Sequence, residues 1–301
     1  MDEVKDVSGL DNLPMNDLAD GLAAAGFQAS NLVLAKDLLK TMKRENCKIF
    51  LSFTANMIAS GLRGCVVDLI KKGYVDAIIT TGGSIDHDII RANAPYLIGD
   101  FNLNDVDLHK KNINRLGNIL IPNDRYELLE KILLTQFKEY YETIGKQTTP
   151  SKLISFLSSK IEDKNSFLFQ CHKHNIPVFC PGITDAAVGL QLYFFTQDHK
   201  DFVVDVAGDL APAIDLAMEA KKTGAFILGG GIAKHHTLGV NLLRGGLDYT
   251  VYVTTASAYD GSLSGAETNE AKSWGKIKEE SNTATVIGDA TIIMPLIVAG
   301  L

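Results

Sequence analysis

The segment NEAKSWGKIK (269–278) places a carboxylate, an indole and an amine close together in the chain. Glu270 and Trp274 are four residues apart and share a helix face, while Lys276 follows Gly275, where the helix is expected to end. A lysine held against an indole and out of water has a lowered pKa and can be a neutral nucleophile for Schiff-base chemistry. The indole face could also hold an ammonium or iminium substrate by cation–π attraction. In the alternative interpretation, Trp274 is a core residue and Lys276 a solvated charge at a helix end.

The run KHH (234–236) follows three consecutive glycines and is expected to open a helix. A histidine at this position lies near the positive end of the helix dipole. This disfavours the imidazolium form and keeps the ring available as a proton acceptor. Adjacent histidines point in different directions, so at most one of His235 and His236 is expected to be functional.

Other reactive side chains give weaker patterns. The run CHKH (171–174) offers a thiol and two imidazoles, but no second pair completes a zinc-like spacing, so no metal site is expected. Ser262 and Ser264 are not part of a GxSxG turn, which argues against a serine hydrolase.

Composition and charge narrow the class of protein. The chain has 301 residues, of which 46% are hydrophobic and 22% charged, enough to bury one large core or two modest ones. The net charge of −7 argues against a nucleic-acid partner and allows a cationic one. The four cysteines show no CxxC spacing, the first residues lack a signal-peptide pattern, and Asp289 and Pro295 interrupt the longest apolar stretch. A cytoplasmic protein that neither is secreted nor spans a membrane is therefore expected.

Six short apolar runs alternate with stretches of helical periodicity: KIFLSF, VDAIIT, IPVFC, AFILG, YTVYVT and TATVIG. This alternation predicts an α/β fold with a doubly wound, mainly parallel six-stranded sheet that has helices on both faces. Residues from about 90 to 165 fit the pattern less well and are expected to form a helical insertion or cap. We predict a single domain over residues 1–301.

Each predicted strand ends in small or polar residues, at the sheet edge where ligands bind in such folds. Gly82, Gly83 and 229–231 can expose N–H groups at helix N-termini, which suits a pyrophosphate. Asp185 and Asp289 could accept hydrogen bonds from ribose hydroxyls. The GxGxxG fingerprint is missing, and each glycine loop alone could be a tight strand-to-helix turn. Six polar strand ends on one edge favour a nucleotide site.

Several motifs together resemble the deoxyhypusine synthase family, most nearly its archaeal forms. They are GGGIAKHH, YDGSLSGAETNEAKSWGKIK, GDATIIMPLIVA, TANMIASG, TTGGSIDHD and TPSK, and the resemblance runs from about residue 45 to the C-terminus. It implies a homotetramer with a sirtuin-like NAD-binding fold and active sites shared between paired subunits. It also implies that NAD takes a hydride from spermidine, that the resulting imine is cleaved to release 1,3-diaminopropane, and that the aminobutyl group is held on an enzyme lysine. The group then passes to a lysine of the hypusine-bearing translation factor and is reduced by the same NADH.

The resemblance also implies a role for individual positions. Lys276 matches the lysine nucleophile, His235 the proton-handling histidine, Trp274 the indole wall, and Glu270 the nearby carboxylate. The further substrate positions are Asp86, His87, Leu190, Gly261, Ser262 and Leu263. The NAD contacts match Asn56, Thr81, Gly82, Gly83, Asp185, Gly230, Thr255, Ala256, Asp289 and Ala290.

A few positions depart from the family pattern. Leu190 and Leu263 stand where well-known members have aspartates that grip the amine ends of spermidine, and Gly239 replaces an asparagine. Asp86 and His87 stand in place of a glutamate pair, and Ala55 replaces a serine.

Three functions agree with these residues. The first is a deoxyhypusine synthase whose amine grip is rebuilt from Asp86, Glu267 and Glu270, and this is the expected one. The second is a related enzyme that acts on another amine, with homospermidine-type products. The third is a catalytically silent NAD-binding partner subunit.

Overall fold

The structure, a computed structural model, describes Pro14, Asp17 and residues 20–301. The strands are β1 (Lys48–Ser52), β2 (Ala77–Ile79), β3 (Leu97–Ile98), β4 (Ile113–Leu116), β5 (Ile119–Pro122), β6 (Gln147–Thr148), β7 (Val178–Phe179), β8 (Val203–Val204), β9 (Thr223–Leu228), β10 (Leu247–Thr254) and β11 (Ile277–Ile287). The helices are α1 (Phe27–Arg44), α2 (Ala55–Ala59), α3 (Arg63–Lys71), α4 (Gly82–Asn93), α5 (Asp105–Lys110), α6 (Asp124–Thr143), α7 (Pro150–Ser159), α8 (Phe167–Lys173), α9 (Ala187–Asp198), α10 (Leu210–Met218), α11 (Gly231–Val240), α12 (Thr268–Ser273) and α13 (Ala290–Ala299).

The main sheet has six strands in the order β11-β10-β9-β1-β2-β7. The pairs β1–β2, β1–β9, β9–β10 and β10–β11 are parallel. Each of the six apolar runs of the sequence overlaps one of these strands, so the prediction of a mainly parallel six-stranded α/β sheet with helices on both faces is confirmed. Every residue of β9 is buried, as expected for a parallel strand that is covered on both faces.

The chain forms two compact units. The first comprises residues up to 53, residues 68–79 and residues 210–301, and the second comprises residues 54–67 and 80–209. The predicted insertion at about 90–165 falls within the second unit, and one domain with an insertion stays a prediction. This range contains helices α5, α6 and α7 and also a three-stranded antiparallel sheet in the order β3-β5-β4.

In the first unit, the helices pack on the strands that lead to the candidate site. Helix α1 contacts β10 and β11, and α11 contacts β1 and β9. Residues Ala225, Ile227, Leu238 and Tyr252 belong to one buried cluster, which joins α11 to the centre of the sheet. The position of α11, and of the KHH run on it, is therefore fixed by apolar packing.

In the second unit, two aspartates of α4 hold the starts of two other helices. Asp88 is fully buried, accepts hydrogen bonds from Ser166 Oγ (2.5 Å) and Leu168 N (2.9 Å), and lies 2.5 Å from Arg63 Nε. Asp86 accepts from the backbone N–H groups at the start of α9. Charged oxygens satisfy helix N–H groups that would otherwise be buried without partners.

Among the described residues, no helix is long and apolar enough to cross a membrane.

Candidate active site

A cavity of about 290 Å³ lies in the first unit, around the lysine and the indole that the sequence singles out. It is lined by Lys234, His235, Leu238, Tyr252, Gly261, Leu263, Ala266, Glu267, Glu270, Ala271, Trp274 and Lys276. The structure therefore brings together seven predicted site residues from α11, the loop before α12, α12 and the turn after it: His235, Gly261, Leu263, Glu267, Glu270, Trp274 and Lys276.

The end of α12 places Lys276 beside the indole. The helix ends at Ser273, Trp274 caps it, and Gly275 adopts a positive φ of 67°, as the sequence predicts for the residue after a helix. The Lys276 Nζ atom lies 5.4 Å from the centre of the Trp274 ring system. Trp274 is 66% exposed, so it is not the core residue of the alternative interpretation. Lys276 is only partly buried, so the indole shields one side of its amine.

The partner of Lys276 is His235. The distance from Lys276 Nζ to His235 Nε2 is 3.3 Å, within hydrogen-bond range. Burial and, to a lesser extent, the charge of Lys276 lower the pKa of His235. The direction is the one that the sequence predicts, although the causes are burial and a neighbouring charge rather than the helix dipole. The neutral imidazole can accept a proton from an amine. His236 does not line the cavity.

The inner wall of the cavity consists of two buried residues that the sequence interpretation did not assign to the site. Lys234 and Tyr252 are each 1% exposed, and Lys234 Nζ lies 4.2 Å from the centre of the Tyr252 ring. Burial lowers the pKa of Lys234 to about 8, against the opposing effect of the Glu270 carboxylate. In the sequence, the feature that could have identified Lys234 as a site residue is its position beside His235. Tyr252 lies within a run that reads only as a buried strand, and nothing in that run marks it as a cavity residue.

The loop before α12 forms a third wall and is tied to the start of α11. Ser264 Oγ accepts a hydrogen bond from Gly231 N (3.0 Å), and Lys234 Nζ donates to Ala266 O (2.8 Å). A Cβ atom on Gly230 would lie 2.4 Å from Ser264 Oγ, so only glycine permits this approach. The loop presents Leu263 to the cavity. Ser262, also predicted to bind substrate, does not line it.

The predicted cofactor residues of the first unit lie at one edge of the sheet. Gly230 follows β9, Thr255 and Ala256 follow β10, and Asp289 and Ala290 follow β11. These three strands are parallel and in register at their ends, where Val253 is paired with Leu228 and Thr254 with Ile287. Asp289 is exposed at the N-terminus of α13 and accepts a hydrogen bond from Thr291 N (2.8 Å).

The predicted cofactor residues of the second unit form a separate set. Thr81, Gly82 and Gly83 start α4, Asn56 lies in α2, and Asp185 precedes α9. A Cβ on Gly83 would lie 2.8 Å from the Cβ of Ala55, and one on Gly82 would lie 2.6 Å from that of Ala186. The two glycines therefore let α2, the start of α4 and the 185–186 turn approach one another closely.

Three predicted substrate residues also lie in the second unit. Both oxygens of Asp86 are hydrogen-bonded, to Ala187 N and Val188 N at 2.8 Å each. His87 Nδ1 is 2.8 Å from Tyr96 Oη, and Leu190 is 51% exposed on α9. Burial raises the pKa of Asp86 to about 6 and lowers that of His87 to about 4. A contact between these side chains and an amine stays a prediction.

Among the residues that the structure describes, no group of three or more histidine, cysteine or acidic side chains could hold a metal ion. Cys47, Cys65, Cys171 and Cys180 are free thiols.

Sequence comparison relates nearly the whole chain to one family. The family model described as deoxyhypusine synthase matches residues 17–301. The chain is 45% identical over 275 residues to a probable deoxyhypusine synthase of Thermoplasma volcanium, with 91% of this chain and 88% of the relative covered. It is 40% identical over 305 residues to a probable deoxyhypusine synthase of Halobacterium salinarum, with 99% and 92% covered.

Comparison with solved structures shows the same fold. A crystal structure of a deoxyhypusine synthase candidate from Entamoeba histolytica matches with a TM-score of 0.72 and 24% identity, covering 99% of this chain and 96% of that one. Unliganded AgrE matches with a TM-score of 0.57 and 16% identity, covering 92% of this chain and 33% of that one.

Proposed function

Because the chain belongs to the deoxyhypusine synthase family, we propose that it is an NAD-dependent aminobutyl transferase. It moves the aminobutyl group of spermidine to a lysine of the hypusine-bearing translation factor through an imine on Lys276. The observation that carries this proposal is the 3.3 Å distance between Lys276 Nζ and His235 Nε2 beside the Trp274 indole. A nucleophilic amine and a proton acceptor in one cavity are what imine exchange requires.

The carboxylate and the exposed backbone at the strand ends suit NAD. Asp289 offers an exposed carboxylate for ribose hydroxyls, and Gly229 and Gly231 have positive φ values of 84° and 63°. A Cβ on Gly231 would meet no atom within 4 Å, so a ligand can approach this backbone closely. We assign NAD to these residues of the first unit, and the second-unit residues stay predicted contacts of the cofactor. When bound, NAD supplies the hydride acceptor and later the hydride donor.

The residues of the cavity then perform the proton and amine transfers. Neutral His235 accepts a proton from the secondary amine of spermidine as that amine is oxidised. The Nζ of Lys276 attacks the imine carbon and forms a new C–N bond, and 1,3-diaminopropane leaves with the electron pair and a proton. The acceptor lysine repeats this exchange and frees Lys276. The indole of Trp274 favours the cationic iminium by cation–π attraction.

The same proposal includes the assembly and the location. We expect a cytoplasmic homotetramer with sites shared between paired subunits, acting on a polyamine and a protein lysine, without nucleic acid or membrane. The net charge of −7 supports attraction of a polycationic substrate rather than of a nucleic acid.

The proposal is tested by incubating the purified protein with NAD, spermidine labelled in its aminobutyl portion, and the factor precursor. We expect NAD-dependent label on the precursor and none on a precursor whose acceptor lysine is replaced by arginine. Absence of label on the intact precursor contradicts the proposal.

The apolar side chain of Leu263 in the cavity favours one alternative, a related transferase acting on another amine. In that case, the label appears on a small amine such as putrescine and not on the precursor. A silent partner subunit produces neither product and still binds NAD.

A further inference from the structure

Among the described residues, no carboxylate lies within salt-bridge distance of the buried ammonium group of Lys234, although Glu270 acts on it from farther away. Its Nζ donates to two neutral carbonyl oxygens, those of Ala266 (2.8 Å) and Ser264 (3.4 Å), and lies over the ring of Tyr252. Carbonyl groups and a ring face compensate only part of the cost of removing an ammonium from water. The protonated form of Lys234 is therefore only weakly stabilised.

The titratable groups around Lys234 come from each element of the cavity. His235 lies on α11, Tyr252 on β10, Glu267 and Glu270 at the start of α12, and Lys276 just before β11. The two positive formal charges of Lys234 and Lys276 are equal in number to the two negative formal charges of Glu267 and Glu270. With these four side chains ionised, the charges of the cavity sum to zero before an amine enters.

A cationic amine changes this balance. Once it pairs with Glu270, that carboxylate no longer offsets the charge of Lys234, and the ligand adds a like charge nearby. Burial already lowers the pKa of Lys234 to about 8, so this lysine can give up a proton near neutral pH.

We propose that Lys234 matches the charge of the cavity to its ligand: its ammonium loses a proton to solvent when a cationic amine binds. Lys234 is then a specificity-determining residue, because it lets a neutral cavity accept a polyamine without leaving an unpaired charge at the inner wall. This inference rests on the proposed function only in taking a polyamine as the ligand.

The experiment is calorimetric titration of spermidine into the protein at pH 7.5, with NADH present because it cannot accept a hydride. The heat is measured in phosphate and in Tris, whose ionisation enthalpies differ, and the difference gives the number of protons released. Because burial lowers the pKa of Lys234 to about 8, this lysine is mainly protonated at this pH before the amine binds. We expect release of roughly half a proton or more per amine bound.

Two variants separate charge from hydrogen bonding. Lys234→Gln keeps an N–H donor for the loop without a charge, and it should abolish the release and bind spermidine at least as tightly as the parent. Lys234→Arg keeps a permanent charge, and it should also abolish the release but weaken binding by about tenfold. Lys272→Gln, which lies outside the cavity, is the matched control and should still release the proton.

Binding without proton release in the unmodified protein overturns the inference and leaves the proposed function intact. Release that persists in Lys234→Gln assigns the proton to the amine or to Lys276 and also overturns it. A protein that binds no spermidine refutes the proposed amine substrate, and this inference with it.

Discussion

Lys276 Nζ and His235 Nε2 lie 3.3 Å apart although the two residues are 41 positions apart in the chain. The contact forms because α11 begins right after β9, while the turn after α12 leads directly into β11. The proposed nucleophile and the proposed proton acceptor thus belong to elements of one unit, which favours a reproducible geometry.

We predict that Lys276 carries the covalent intermediate. Borohydride added during turnover with NAD and spermidine should trap the amine fragment as a secondary amine on this residue, as mass spectrometry of peptides would show. Lys276→Ala should lose trapping and net transfer because a methyl group cannot form an imine. Lys276→Arg should also be inactive, since a guanidinium is not a nucleophile at neutral pH.

Lys272→Ala is the matched control for this experiment. Lys272 lies one turn away, donates to Glu279 O and does not line the cavity, so its loss should leave trapping unchanged. Trapping on Lys234, or normal transfer by Lys276→Ala, would show that the nucleophile is a different residue.

The second prediction concerns His235. His235→Ala should keep NAD affinity and slow amine oxidation by roughly 10²–10⁴, the usual effect of losing a positioned base. Because the pKa of His235 is lowered by burial and by the charge of Lys276, the fall of kcat/KM at acid pH should have its midpoint below the ordinary histidine pKa. His236→Ala serves as the control. If His236→Ala alone is slow, the assignment of the base is wrong.

Much of the fold could be predicted from the sequence, because the signals that define it are local. Apolar runs such as AFILG are short, β-branched or aromatic, and bounded by glycine, which is how parallel strands appear in a sequence. The helix end at Gly275 was equally local. The segment 95–122 was not predicted as a sheet, because its two- to four-residue strands are too short to show an alternating pattern.

The site was predicted only where motifs mark it. Tyr252 and Lys234 become cavity residues through contacts across the first unit, such as the one between Lys234 and Ala266, 32 positions apart. Asp86 was predicted as a site residue, but its hydrogen bonds to α9 were not, because they join residues more than 100 positions apart. Spacing along the chain carries no information on such contacts, whereas the buried charge and its partners become evident in three dimensions.

The third prediction concerns cofactor binding. Asp289→Ala and Asp185→Ala should each weaken NAD binding by about 1.5–3 kcal/mol, the usual contribution of a charge-assisted hydrogen bond. Asp289 also caps α13, so Asp289→Ala should lower the unfolding free energy by about 1 kcal/mol. Asp289→Asn keeps the cap and removes the charge. Unchanged NAD affinity in all three variants, measured by titration, would place the cofactor elsewhere.

The fourth prediction follows from the opposite pKa shifts of two adjacent residues. The pKa of His87 is lowered from 6.5 to about 4, so its contribution to stability is present above pH 6.5 and is lost as the pH falls towards 4. The pKa of Asp86 is raised from 3.8 to about 6, so its contribution is present below pH 3.8 and is lost as the pH rises through 6. Each amounts to about 3 kcal/mol.

Near pH 5 the two effects cancel, because the native pair and the unfolded pair hold the same number of protons. Urea unfolding between pH 4.5 and 6.5 should therefore show little slope from this pair in the parent. In His87→Gln, the unfolding free energy should rise as the pH falls, because only the Asp86 effect remains. In Asp86→Asn, it should fall as the pH falls, because only the His87 effect remains. Equal slopes in both variants would contradict the paired shifts.

The fifth prediction concerns the amine. An ammonium that enters a mostly buried cavity needs a carboxylate nearby, because an unpaired buried charge costs several kcal/mol. Leu263 contributes an apolar surface to the cavity, and the two glutamates of the cavity are matched in number by two lysines. Spermidine should therefore bind more weakly than to family members that have aspartates here, and an amine with a shorter, less charged or apolar far end should be preferred.

Restoring the acids tests this argument. Leu263→Asp adds a negative charge to the cavity wall and should tighten spermidine binding by about 1–2 kcal/mol, whereas Leu263→Asn, of similar size and neutral, should not. Leu190→Asp should also tighten binding if both positions contact one ligand, and the two effects then need not add. Calorimetry with spermidine and with putrescine measures both affinity and preference. If the parent already saturates with micromolar spermidine and the double variant binds no tighter, the two leucines do not limit amine recognition.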